Sequence, residues 1–161
     1  MRARSLCLFA FFTLITIVHG QTLQWAQATG GASQEVWKDV AIDGSGNAVT
    51  VGTLLTGGAP VDLDPGAGQF NVLSIASSYD VFYRKMDANG GFIWGGSFGG
   101  TTTDAGLSVA VDASGNVFLA GSVVGANVDL DPTAGVFPVT TSNSGADAFV
   151  VKLSSTGTFL W

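Results

Sequence analysis

Cysteine and histidine are all but missing from this chain of 161 residues. One of each occurs, Cys7 and His19, both within the first twenty positions. There Arg2 and Arg4 precede an uncharged, mostly apolar stretch from Leu6 to Val18, and His19-Gly20 leads into polar Gln21. A basic start, an apolar run too short to cross a bilayer and a small residue before a polar one predict a secretory signal peptide over 1–20, cut after Gly20. Cys7 lies inside the apolar run and not at its end, which argues against a lipid-modified cysteine. Export would remove Cys7 and His19 together. Residues 21–161 would then hold no disulfide, and packing alone must stabilise them in an oxidising compartment. They also lack the parts of a Ser-His-Asp or Cys-His catalytic system, and every imidazole or thiolate metal ligand.

Positive charge is scarce too. Lys and Arg number 6 against 12 Asp and Glu, and all but Glu35 of those acids are Asp. Loss of Arg2 and Arg4 would take the net charge from −6 to −8, so nucleic acid and an anionic membrane surface are excluded as natural partners. No stretch after Gly20 keeps a helical period, and the Gly-Gly pairs at 30–31 and 99–100 precede no helix, so no phosphate-binding loop is present. Paired carboxylates could serve glycoside hydrolysis, but nothing among the Asp residues selects a pair. The expectation is a protein that is not an enzyme, with no catalytic residues and no membrane span once the signal is cut.

Gly, Ser, Thr and Asn are plentiful, and they are arranged in a repeat. AIDGSGNAVTVGT at 41–53 returns as AVDASGNVFLAGS at 110–122, with six of thirteen positions identical. VDLDPGAGQF at 61–70 returns as VDLDPTAGVF at 128–137, and SSYDVFYRKMDANGGFIW at 77–94 returns as SGADAFVVKLSSTGTFLW at 144–161. Trp25, Trp94 and Trp161 mark the period. Two repeats follow, over roughly 25–93 and 94–161, the second incomplete at its C-terminal strand. Each reads as short β-branched and aromatic runs bounded by turn formers. The strands fall at Val40–Asp43 and Val109–Asp112, Ala48–Leu54 and Val117–Val124, Val81–Met86 and Ala148–Leu153. A last strand covers Phe92–Phe98, with Leu23–Ala28 as its equivalent before the first repeat. The fold class is all-β: tandem four-stranded antiparallel blades of propeller type.

With these strands in place, DAFVVKLSSTGTFLW, FGGTTTDAGLSVAVDASGNVFLAG and VDLDP resemble the bacterial SBBP beta-propeller repeat family. Asp80, Phe82, Lys85, Gly90 and Trp94 carry the resemblance in one copy, and Asp147, Phe149, Lys152, Gly157 and Trp161 in the other. Gly99, Gly100, Asp112, Gly115, Asn116 and Gly121 carry it between them. The first copy departs from the pattern at Glu35–Lys38. The resemblance implies a fold of secreted and surface proteins with no common catalytic activity. Closed propellers have more than two blades, so three arrangements stay open: a piece of a longer propeller, a ring closed by self-association, or an open pair of blades.

Two acidic loops are the candidate metal site. Asp62 and Asp64, and again Asp129 and Asp131, alternate along an extended segment and could offer hard oxygen ligands to Ca²⁺. The same residues fit solvated turns in which Asp caps backbone N–H groups and Pro65 or Pro132 sets the bend. The Asp43–Asn47 and Asp112–Asn116 segments read as turns. Ala48 and Val117 stand where a calcium loop needs Gly, and Leu54 and Val123 where it needs Glu. The periodic Trp residues are expected in the core, Trp37 and Tyr83 as exposed aromatics, and Lys85 and Lys152 in ion pairs with Asp80 and Asp147. The function expected is a secreted or cell-surface module for protein interaction, adhesion or scaffolding. Part of a larger secreted hydrolase and a calcium-dependent carbohydrate binder are the alternatives. A protein or glycan at the cell surface would be its partner.

Overall fold

The computed structural model describes residues 23–31, 34–142 and 145–161. The signal segment expected over 1–20 lies outside the described residues. No helix among the described residues is long and apolar enough to cross a membrane. The architecture is all-β, as the composition requires.

The first repeat builds one antiparallel sheet from β1 (Gln34–Ile42), β2 (Ala48–Leu55), β5 (Asp80–Met86) and β6 (Phe92–Phe98), in the order β1-β2-β5-β6. The short hairpin β3 (Val61–Asp62) and β4 (Asn71–Val72) interrupts it between β2 and β5. The second repeat builds β7 (Ala105–Val111), β8 (Val117–Val124) and β11 (Ala146–Leu153), in the order β11-β8-β7, with the matching hairpin β9 (Val128–Asp129) and β10 (Pro138–Val139). Its fourth strand is a bridge between Leu153 and Phe159, extended where Lys152 N–H donates to the Trp161 carbonyl at 2.7 Å.

Turn chemistry explains the hairpins. The Asp43 carboxylate accepts from the N–H of Ser45 at 2.8 Å and of Asn47 at 3.0 Å, and from the Asn47 side chain at 2.9 Å. Asp112 repeats all three bonds with Ser114 and Asn116. Gly46 and Gly115 take φ of 81° and 80°, which a side chain would strain. Both segments are the turns expected from the sequence.

Two strand expectations need correction. The first strand of each repeat begins earlier than Val40 and Val109, at Gln34 and Ala105. Each passes through a bulge, between Trp37 and Asp39 and between Gly106 and Ser108, so the hydrophobic alternation breaks and hides the early half. Leu23–Ala28 forms no strand. No neighbouring backbone ladder reaches it; side chains hold it instead, with Trp25 Nε1 donating to the Ala88 carbonyl at 3.0 Å and Gln27 Nε2 to the Gly90 carbonyl at 2.9 Å.

The two sheets stack face to face. Val49 and Val51 of β2, Val81 and Tyr83 of β5 and Phe98 of β6 meet Val109, Val117, Leu119, Phe149, Val151 and Leu153 from the second sheet in one core. Residues two apart share a face of a strand, so the alternating pattern in the sequence builds this layer directly. Each such buried side chain contributes about 1.5–3 kcal/mol. The opposite face of the first sheet is covered in part by its own hairpin, where Leu54, Val61, Leu63, Val72 and Phe82 pack with Trp37 and Phe92.

Candidate functional site

The acidic loops fold as turns around their own carboxylates. One oxygen of Asp62 accepts from the N–H of Asp64 at 3.0 Å and of Phe70 at 2.8 Å; Asp129 does the same with Asp131 and Phe137. Asp64 accepts from the N–H of Gly66 at 2.7 Å, and Asp131 from the N–H and hydroxyl of Thr133 at 2.8 and 2.5 Å. The second oxygens of Asp64 and Asp131 fill the space that a side chain at Gly68 or Gly135 would need, which is why glycine recurs there. Among the described residues no three acidic, His or Cys side chains converge to hold a metal.

The ion pairs differ from those expected. Lys85 Nζ meets Asp43 at 2.8 Å and Lys152 Nζ meets Asp112 at 3.6 Å, so each lysine ties β5 or β11 to a hairpin turn. Asp80 and Lys85 are five positions apart and therefore project from opposite faces of their strand. That parity was readable in the sequence. With the lysine and the amide donors around it, Asp43 is held well below the usual carboxylate range, against a burial that alone would raise it.

Asp80, at the start of β5, sits instead beside the segment that leads into the second sheet. It is fully buried, accepts from the Ile75 N–H at 2.6 Å, and shares the space beside Gly99 with Asp104, itself fully buried. Asp104 accepts from the N–H of Gly100 at 2.6 Å and of Val124 at 2.8 Å. Burial first, and then the Asp104 charge, push Asp80 up to about 7; burial raises Asp104 too. A carboxyl near pH 7 suits general acid–base work, but this one has no exposed surface through which a substrate could reach it. The pair is a joint between the sheets. Sequence reasoning missed it because the partner comes from the neighbouring sheet.

The aromatic residues divide differently from expectation. Trp94 packs edge-on to Tyr83 at 6.0 Å and donates to the Ser155 carbonyl at 3.2 Å. Trp25 makes the equivalent bond to Ala88 in the first repeat. Trp161 is 53 % exposed, with Phe118 at 6.1 Å. Tyr83 is buried, contrary to expectation, because its odd-numbered neighbours in β5 point into the stack; burial pushes its hydroxyl up, with the Asp131 charge adding. Trp37 is half-buried, stacked on Phe82 at 4.0 Å between ring centres.

The two outer faces of the stack carry exposed apolar residues. Val40 and Ile42 project from the edge strand β1, and Val150 and Trp161 from the second sheet. The strand alternation places Val150 between buried Phe149 and Val151 and points it away from the first sheet.

Comparison with known proteins agrees with a repeat architecture. No family model matches the chain. The chain is similar to an uncharacterized WD repeat-containing protein of Acanthamoeba polyphaga mimivirus, at 26 % identity over 155 residues, which covers 85 % of this chain. The chain spans 11 % of the length of that relative. The all-β stack of repeated antiparallel sheets is compatible with a propeller, of which WD repeats are one form.

Proposed function

We propose that the chain is an exported, non-enzymatic repeat module of the SBBP propeller type, serving protein interaction, adhesion or scaffolding at the cell surface. The observation that carries this reading is the pair of outer faces, which leave apolar side chains exposed beyond what the hairpin covers. Each presents apolar side chains, Val40 and Ile42 on one and Val150 and Trp161 on the other. Contiguous exposed apolar surface marks contact sites. The relative's WD repeats and the turn-rich, sheet-stacked build fit a module for contact with proteins. The buried acid pair, closed to solvent, gives no support to an enzyme.

The test adds labelled chain to intact producing cells. Saturable binding that Val40→Asp with Val150→Asp reduces supports the reading; both side chains are exposed, so the fold tolerates the change. Absence of saturable binding, or hydrolysis of a glycoside or ester panel by the purified chain, overturns it.

A further inference from the structure

Four cations fall among the described residues of this acidic chain. Lys85 and Lys152 are paired with Asp43 and Asp112. Lys38 and Arg84 have no carboxylate partner among the described residues, yet both line the same cavity, of about 410 Å³, on the outer face of the first sheet. Trp25, Gln27 and Trp37 share its wall. Arg84 is only 4 % exposed. Its Nη1 donates to the Leu63 carbonyl at 3.2 Å, its guanidinium stands 4.9 Å from the centre of the Trp37 ring, and its Nε has no acceptor. The one carboxylate in the wall, Asp39, is turned to the second sheet, where it accepts from the Ser108 hydroxyl at 2.8 Å and the Val109 N–H at 2.9 Å.

A buried guanidinium without counter-charge opposes folding unless something supplies the charge. The second repeat shows that the backbone does not require it. Leu107 stands at the bulge where Lys38 stands in the first repeat, and Val151, 1 % exposed, takes the place of Arg84. Both cations are therefore departures from the repeat, and they converge on one cavity.

We propose that this cavity binds a carboxylate carried on a small, flat apolar body. Arg84 and Lys38 meet the carboxylate, in the charge-assisted bonding that guanidinium favours, and Trp25 meets the body. The carboxylate can come from a free organic acid or from an acidic side chain of a partner peptide.

Calorimetric titration of the whole chain with phenylacetate, with phenylacetamide as the uncharged match and with acetyl-Phe-Glu-amide as the peptide form, tests this. The expected result is single-site binding of the acid, at least about tenfold weaker binding of the amide, and affinity that falls with salt. Arg84→Val, which installs the side chain of the second repeat, should weaken phenylacetate by about tenfold or more, and exposed Lys38→Leu by about threefold. Tighter binding of the peptide than of phenylacetate assigns the site to a partner's acidic side chain; the reverse order assigns it to a free acid. Equal binding of acid and amide, no binding of either acid, or unchanged affinity in both variants overturns the proposal. Lys38→Leu leaves the buried layer untouched and keeps the test open if Arg84→Val folds poorly.

Discussion

The indole N–H of Trp94 reaches the carbonyl of Ser155 at 3.2 Å, fastening the last strand of the first sheet over a turn of the second. The ring lies against Gly157, whose φ of 85° leaves no easy room for a side chain. Trp25 closes over Gly90 in the same manner, so the contact recurs with the repeat. Trp94→Ala should cost about 2–3 kcal/mol in equilibrium urea unfolding, and Gly157→Ala about 1 kcal/mol or more. Half-exposed Trp161→Ala should cost less than about 1 kcal/mol.

Stability should fall as pH rises from about 4 to about 8. Asp80 titrates at about 7 in the folded chain against an ordinary 3.8, so in that window the folded state holds a proton that the unfolded state has lost. Asp104, also raised, adds the same sign. Asp39, Asp43 and Asp112 are lowered and act oppositely: their contribution is present above about pH 4 and is lost as pH falls below it. Thermal melting across pH should show a maximum on the mildly acidic side. Asp80→Asn should flatten the fall between pH 5 and 8, and an unchanged slope would remove Asp80 as its source.

The two lysine pairs differ in worth. Lys85 and Asp43 are close and nearly closed to solvent, whereas Lys152 and Asp112 are farther apart and partly open. Lys85→Met should cost about 1 kcal/mol or more, since it strands a buried carboxylate. Lys152→Met should cost less. Equal losses in the two urea curves would contradict the difference in burial.

The acidic loops should behave as turns. Asp62→Ala and Asp129→Ala each remove a carboxylate that caps two backbone N–H groups and should cost about 1–2 kcal/mol with or without calcium. Melting in millimolar calcium is the check. A rise that either substitution abolishes would mean that the loops recruit further ligands.

Much of this fold could be read along the chain. Phe92–Phe98 and Val117–Val124 form strands with the bounds their composition suggests, and the Asp-to-Asn turns follow from local chemistry alone. What depends on a neighbour was harder to see. Asp80 needs Asp104 from the other sheet, Tyr83 is covered only because a second sheet is there, and Lys38 and Arg84 meet only once β1 and β5 lie in one sheet. Parity along β5 already separated Asp80 from Lys85; composition hid that, since an acid and a base in one strand invite pairing. Leu23–Ala28 has strand composition but lacks a ladder to join, and composition cannot show that.

The face-to-face stacking of the two repeats is the claim on which the rest stands, and Phe98 and Phe149 test it most directly. Their rings meet edge to face across the sheets, 5.4 Å between centres. A double-mutant cycle with Phe98→Leu and Phe149→Leu in urea unfolding should give a coupling of about 0.5–1.5 kcal/mol. Strict additivity of the two substitutions would mean that the sheets do not pack through this core.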